Sequence, residues 1–246
     1  VQTNVCGTQN LIEGAIAAGV SRVVLVSTDK AVNPTSTMGA SKLMAERIVT
    51  NANRWAKKTV FATVRFGNVL GSRGSIGPVI ERTVATDGTV SISDRNMTRF
   101  VMTIRDAVGL VLKAGALAKG GESFILKMSA VQLDDLVGVL VKRAARHLHK
   151  DLALVKVKPK QRGRGQGEKV DEELLTLEES ARTEEAREFL VVHPAWKEIS
   201  ARAWKRPALE KYQSNAARPL TPAEIKKLLD RAGLARECFE LRQVAI

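Results

Sequence analysis

Two short apolar runs, Arg22-Val23-Val24-Leu25-Val26 and Phe61-Ala62-Thr63-Val64-Arg65-Phe66, constrain the fold more than any other feature of the chain. Neither alternates apolar with polar residues, so each reads as a strand buried on both faces, the pattern of a parallel sheet. Between them Asn33-Pro34 breaks the chain. The stretch from Met38 to Ala56 then has helical spacing, with Met38, Lys42 and Ala45 on nearly one face. A strand, a crossover helix and a parallel strand make a right-handed βαβ unit. The fold class is therefore α/β.

In open α/β sheets ligands lie outside the carboxyl ends of the strands. The first run ends in Ser27-Thr28-Asp29-Lys30, so polar chemistry begins where the strand stops, and Lys42 on the following helix points back toward that end. The second run ends in a loop holding Arg65, Asn68, Ser72 and Arg73 among Gly67, Gly71 and Gly74. Glycines allow close backbone approach, while Asn and Arg offer donors to phosphate or amide groups. A Gly-rich loop without further context is equally a plain turn.

Further along, residues 4 to 18 read as a helix with Val5, Leu11, Ile12, Ala15 and Ile16 packed and Gly19 as its cap. Residues 75 to 85, 104 to 118 and 133 to 148 read as helices, the second with Ala107, Val108, Val111 and Leu112 inward. Strands are expected at 89 to 93 and 122 to 127, a polar turn at 94 to 100, and an alternating strand-like run around Lys156 and Lys158. An acidic helical stretch is expected from Glu168 to Glu185, then a small apolar segment at Phe189 to Val192, with Trp196 and Trp204 packed in a core. Thr221-Pro222 starts a last helix, with Thr221 as its N-cap, ending near Gly233. The chain divides at about residue 150, with parts of 68 to 100 interleaved into the second region.

The 246 residues carry 39 Lys and Arg against 26 Asp and Glu, a net charge of +13 that favours anionic partners. Only Cys6 and Cys238 occur, which suits a reducing, cytoplasmic setting rather than a disulfide framework. No apolar run has the roughly 20 residues that cross a bilayer, although a longer natural protein with a membrane anchor would place this part at the membrane. His147 and His149 are two apart and His193 is distant, so no metal site is expected.

The string Ser27-Thr28-Asp29-Lys30-Ala31-Val32-Asn33-Pro34 followed by Gly39-Ala40-Ser41-Lys42 resembles the active-site segment of the extended short-chain dehydrogenase/reductase family. More narrowly it resembles the polysaccharide-biosynthesis branch, the UDP-N-acetylglucosamine 4,6-dehydratases and their C5-inverting relatives. The resemblance continues through Arg65-Phe66-Gly67-Asn68-Val69-Leu70-Gly71-Ser72-Arg73, Asn96-Met97-Thr98-Arg99-Phe100, Gly167-Glu168-Lys169 and Pro219-Leu220-Thr221. It implies the carboxyl-terminal part of a doubly wound Rossmann domain with a smaller mixed α/β substrate-binding part. Two positions depart from the family. Met38 stands where Tyr is usual and cannot donate or accept a proton, and no Gly-x-Gly-x-x-Gly precedes Asp29.

The resemblance implies that NADP or NAD oxidises the sugar at C4, that the acidified C5 proton is removed, that the C6 hydroxyl leaves as water, and that hydride returns to C6. Within that scheme Lys30 is the base at C5, provided burial or a cationic neighbour favours its neutral amine. Asp29 is the acid for the departing hydroxyl, Thr28 bonds the C4 oxygen, and Asp29 or water replaces Met38 in taking the C4 hydroxyl proton. Ser27, Lys42, Arg65, Gly67 and Asn68 are implied on the cofactor side, with Lys42 on the nicotinamide ribose. Asn68, Arg73, Arg99 and Glu168 are implied on the UDP-sugar, Ser214 and Asn215 as a polar cap over it, and Asn4 as support for the catalytic turn. Because the Gly-rich turn is missing, the strand at 22 to 27 is expected to expose an apolar edge open to association, as a homo-oligomer or with another chain. Two other readings stay open. One is a noncatalytic remnant that binds sugar nucleotide or a partner chain, and the other a nucleic-acid binder, which charge alone supports.

Overall fold

The computed structural model describes residues 1–72, 74–86, 88–160, 163, 165–197 and 211–233. In chain order the strands are β1 (Arg22–Thr28), β2 (Val60–Phe66), β3 (Asn68–Val69), β4 (Thr89–Ile92), β5 (Thr98–Met102), β6 (Ser123–Leu126), β7 (Ser129–Gln132), β8 (Lys156–Pro159), β9 (Glu173–Leu175), β10 (Thr183–Glu185), β11 (Phe189–Val192) and β12 (Tyr212–Gln213). The helices are α1 (Gly7–Ala17), α2 (Thr37–Ala52), α3 (Ile76–Thr86), α4 (Ile104–Leu117), α5 (Leu133–His147), α6 (Leu177–Ser180) and α7 (Pro222–Arg231). They form two compact units. The first comprises Val1–Gly67, Ala107–Met128 and Glu172–Ala216, and the second Asn68–Asp106, Ser129–Asp171 and the described part of Ala217–Ile246. Residue 150 is therefore not the boundary. The segment after residue 171 returns to the first unit because β11 pairs with β6 and extends its sheet.

The first unit is built on a five-stranded sheet in the order β1-β2-β6-β11-β10, in which β1, β2 and β6 are parallel and β11 and β10 antiparallel. Side chains of successive β2 residues leave opposite faces. Phe61 packs with Ile12 and Ala15 of α1 and Val49 and Ala52 of α2, while Ala62 and Val64 pack with Leu110 and Ala114 of α4. The β2 run is buried on both faces as read from sequence, but β1 is not. It lies at the sheet edge among the described residues, and Val26 is 44% exposed.

Helix registers correct three other expectations. Leu11 is exposed because Ile12 and Ala15 set the buried stripe of α1, and Val108 and Leu112 are exposed because Ala107, Leu110 and Ala114 face the sheet. The first turn, Gln2–Cys6, is π-helical and runs into α1, which Gly19 closes at φ +68°. The expected acidic helix after Glu168 is instead two short strands, β9 and β10, joined by turns and one helical turn at α6. Its Glu173 and Glu179 are buried, so they are internal partners rather than the solvent face of a helix. Trp196 is half-exposed under Arg54 instead of lying in the core, and Trp204 falls outside the described residues.

The second unit pairs β3 with β5 in parallel, β5 with β7 antiparallel, and β4 with β8 in parallel. The expected turn at 94 to 100 ends early, because Thr98, Arg99 and Phe100 enter β5 with Phe100 fully buried. Over these strands α3, α5 and α7 share one apolar core that includes Ile80, Val84, Val137, Leu140, Val141, Ile225 and Leu229. Thr221 caps α7 in a reciprocal box with Glu224, and Pro222 takes the first helical position.

Candidate active site

At the carboxyl end of β1 the backbone makes one 3₁₀ turn, Asp29–Ala31, capped by Thr28. The Thr28 hydroxyl accepts from the Lys30 amide at 3.4 Å and donates to Asp29 Oδ1 at 2.7 Å. Lys30 Nζ donates to both Asp29 oxygens, at 3.1 and 3.2 Å. The Asp29 side chain is 2% exposed and that of Lys30 is 43% exposed. The turn thus presents an acid–base pair with one member sealed and the other open. Lys30 has neither the burial nor the cationic neighbour expected of it: its contact is a carboxylate.

The turn is held from several sides. Asn33, in the left-handed region at φ +43°, donates through Nδ2 to Glu173 Oε2 at 2.6 Å. Ser36 caps α2 by accepting from the Gly39 amide. Gly39 is required by space, since a Cβ there would lie 2.2 Å from the Lys30 carbonyl oxygen. Asn4 donates to Ser41 Oγ at 3.0 Å, and Ser41 donates to the Met38 carbonyl at 2.8 Å, which ties the first helical turn of the chain to α2. Met38 is 46% exposed in the first turn of α2. Lys42 Nζ donates to the Val26 carbonyl at 3.2 Å, so it does point back to the strand end. Ser27 is buried there, and its hydroxyl has no hydrogen-bond partner among the described residues.

Arg65 is a different kind of group. Its five N–H donors are taken up by Glu46 (Nε at 2.9 and 3.1 Å, Nη2 at 2.6 Å), Glu179 (Nη1 at 2.8 Å, Nη2 at 2.9 Å) and the Leu174 carbonyl (Nη1 at 3.3 Å). Burial disfavours the cation, but the two carboxylates outweigh it and hold the guanidinium above its usual pKa. For Glu179, burial pushes the carboxyl up, and Arg65, the Thr176 amide and Arg182 more than offset this, leaving it below the usual carboxylate value. No donor of Arg65 remains for a cofactor, which corrects its assignment to the binding set. Ser214 is likewise framework: it is fully buried and its Oγ accepts from the Glu172 amide at 2.8 Å. The Gly67 amide faces Met128 Sδ at 3.4 Å.

In the second unit Asn68 Nδ2 donates to the Phe100 carbonyl at 3.0 Å. Arg99 reaches the carbonyls of Thr98, Lys169 and Val170 and lies 3.8 Å from Glu168. Burial raises the Glu168 carboxyl, but the Gly165 amide, Ser93, Lys160 and Arg99 more than compensate and keep it low. Arg99 and Glu168 are thus brought together, whereas Arg73 lies outside the described residues. Among the described residues no group of three His, Cys, Asp or Glu is arranged to hold a metal ion. Sequence reasoning missed Glu46 and Glu179. An acid at position 46 on the same face as Ala45, Val49 and Ala52 signals a buried carboxylate that needs a cationic partner.

Residues 1–194 match the polysaccharide biosynthesis protein family. An uncharacterized membrane protein of Methanocaldococcus jannaschii is 44% identical over 93% of this chain and 67% of its own length. The inverting UDP-N-acetylglucosamine 4,6-dehydratase of Campylobacter jejuni is 33% identical over 80% of this chain, which spans 56% of that enzyme. The chain spans only 29% of the capsular polysaccharide biosynthesis protein CapD of Staphylococcus aureus, with 43% identity over the shared part. The crystal structure of Pen from Bacillus thuringiensis superposes with a TM-score of 0.84 at 36% identity, over 94% of this chain and 68% of that one. The dTDP-glucose 4,6-dehydratase of Bacillus anthracis, solved with NAD, is 18% identical with a TM-score of 0.53 and shows a shared Rossmann-type α/β fold. With the family match, the relatives and the fold in agreement, this chain belongs to the polysaccharide-biosynthesis branch of the extended short-chain dehydrogenase/reductase family and covers about two thirds of that fold.

Proposed function

We propose that this chain carries the acid–base turn of a nucleotide-sugar 4,6-dehydratase acting on UDP-N-acetylglucosamine or a similar UDP-sugar. The observation that carries the reading is the Thr28–Asp29–Lys30 cluster at the carboxyl end of a parallel strand. Lys30 Nζ lies 3.1 Å from Asp29 Oδ1, close enough for one proton to pass between them. Moving it from the ammonium to the carboxylate gives a neutral amine beside a carboxylic acid. The amine then takes the C5 proton and the acid protonates the leaving C6 hydroxyl, so one water departs and the pair returns to its starting charge. Thr28 orients Asp29 and bonds the C4 oxygen. Met38 takes no part in proton transfer; because Asp29 takes the Lys30 proton, water receives the C4 hydroxyl proton and gives it back to the Lys30 amine once Lys30 has reprotonated C5.

NADP or NAD, when bound, would supply the hydride acceptor for C4, whose oxidation acidifies C5, and the hydride donor for C6. The residues present fit its nicotinamide-ribose end: the buried Ser27 hydroxyl lacks a partner among the described residues, and the Lys42 ammonium lies at the same strand end. Arg65 does not contribute, and the sequence holds no Gly-x-Gly-x-x-Gly for the pyrophosphate. Asn68, Arg73, Arg99 and Glu168 are proposed to hold the UDP-sugar. Arginine suits the diphosphate because its fork forms bidentate, charge-assisted bonds. The open edge of β1, with half-exposed Val26, is the proposed surface for association with a second copy or another chain. No helix among the described residues is long and apolar enough to cross a membrane. Cysteine usage supports a cytoplasmic location.

The test is mass spectrometry of UDP-N-acetylglucosamine incubated with the full chain and either NAD or NADP. Loss of one water from the sugar nucleotide, abolished by Lys30→Ala, is expected. Unchanged sugar nucleotide with both cofactors, at concentrations where it binds saturably, would overturn the catalytic reading in favour of a noncatalytic sugar-nucleotide binder. Full turnover by Lys30→Ala would remove Lys30 from the role of base.

A further inference from the structure

We infer that the groove between α5 and α7 is a binding site for a small phosphorylated molecule, separate from the sugar-nucleotide site proposed above and independent of that reading. The groove has a volume of about 590 Å³, within the range of small-molecule sites. Its aliphatic part is Val139 and Pro222, and its charged lining is Lys142, Arg143, Arg146 and Lys226, with His147 and His149 beside them. The one acid in the lining among the described residues, Asp230, is paired with Arg143 at 3.2 Å. Lys142, Arg146 and Lys226 form no ion pair among the described residues, so three positive side chains line one concavity whose described acid, Asp230, is already engaged by Arg143. Such charges repel one another unless an anion joins them. A phosphorylated ligand with an apolar body matches both halves of the lining.

The end of α5 supplies a second, independent observation. Among the described residues four helices are followed, two residues after their last, by a residue with left-handed backbone. After α1 it is Gly19 (φ +68°), after α3 it is Gly88 (φ +67°), after α7 it is Gly233 (φ +74°), and after α5 it is His149 (φ +51°). Glycine takes that conformation without strain, whereas a residue with a Cβ does so at a cost. At His149 the chain holds a strained side chain where it elsewhere uses glycine, and that side chain lines the groove. His147, which lies 4.0 Å from Glu81, lines it too. None of the lining residues belongs to the sets at Asp29 or Arg99.

The chain has three histidines, His147, His149 and His193, and the third belongs to the other unit and lines none of this groove. Their ring-proton NMR signals, followed in the full chain during titration with inorganic pyrophosphate at constant ionic strength, test the site. We expect the signals of His147 and His149 to move saturably together while that of His193 stays fixed. Arg146→Gln with Lys226→Gln should weaken the apparent affinity at least tenfold. His149→Gly should raise the melting temperature, because strain is relieved, yet weaken pyrophosphate binding; a variant that binds as tightly as the parent would remove His149 from the site. If all three signals drift without saturation, or none moves, the site does not exist. Movement on phosphatidylglycerol vesicles but not with pyrophosphate would replace the small-molecule site with a lipid-surface contact and overturn the proposal.

Discussion

The neighbouring parallel strands β1 and β2 both deliver a cation to their carboxyl ends, and the two cations have opposite fates. Lys30, just beyond β1, holds a sealed carboxylate yet keeps 43% of its own side chain in solvent. Arg65, on β2, is 3% exposed and gives every N–H to two glutamates and a carbonyl. A sequence motif shows the same thing in both places, a basic residue at the end of an apolar run. What separates them is how many partners the fold brings in. One carboxylate leaves a proton to move, whereas two carboxylates and a carbonyl fix the cation as a three-way joint between β2, α2 and α6. On the proposed reading, chemistry belongs at the under-coordinated end and stability at the saturated one.

Arg65→Leu puts the largest strain on this contrast. It would leave Glu46 buried without its cation and Glu179 with only the more distant Arg182, and breaking a buried ion network from one side costs about 3–5 kcal/mol. Urea denaturation should show that loss. A cost below about 1 kcal/mol would mean that the joint is not what holds the sheet to its helices. Gly39→Ala should come next, at about 2–3 kcal/mol, because the new Cβ meets the Lys30 carbonyl at 2.2 Å and backbone must move. Unlike the Arg65 change, it should also displace the Asp29–Ala31 turn, so turnover should fall more than stability alone accounts for. A fully active, fully stable Gly39→Ala protein would show that the turn does not depend on its contact with α2.

Acid sharpens the comparison at smaller amplitude. The folded-state pKa of Glu179 lies below its ordinary value of 4.5, so its contribution is complete above that value and is lost as pH falls through the folded value. Glu122 behaves in the same direction: burial raises it, and the Gly120 amide and Lys197 more than offset that. Stability should therefore drop below about pH 4.5, while remaining flat with respect to these groups at neutral pH. Glu179→Gln should cost about 1–2 kcal/mol at pH 7 and reduce the acid dependence. An unchanged slope of stability against pH between 3 and 5 would assign the acid transition to other carboxylates.

The contrast also marks where sequence reasoning stops. The β2 run, the cap at Thr221 and the return of Lys42 toward β1 depend on neighbours close in sequence, and patterning makes them legible. The strand β7 is not legible in the sequence because Ser129–Gln132 is too short and mixed to carry a period of its own. Thr98–Phe100 looked like a turn because a polar run conceals the alternation that buries Phe100. For Arg65 the motif pointed to a ligand, and only the return of Glu179, 114 residues later in the chain, shows that the guanidinium is already occupied. Burial at a distance is the quantity a local motif lacks.

The smallest stability effect is the most discriminating. Lys30→Met removes a cation whose side chain is nearly half in solvent, so its pairing with Asp29 is screened and contributes about 0–1 kcal/mol. Against that stands the buried Asp29 carboxylate, which keeps the Thr28 hydroxyl at 2.7 Å when Lys30 is gone. The melting curve of Lys30→Met should therefore lie close to that of the parent chain, while dehydration of the UDP-sugar should fall by about 10²–10⁴-fold, the usual contribution of a positioned acid or base. If this variant instead lost as much stability as Arg65→Leu, the Asp29–Lys30 pair would be a second structural joint. The two strand ends would then be alike after all.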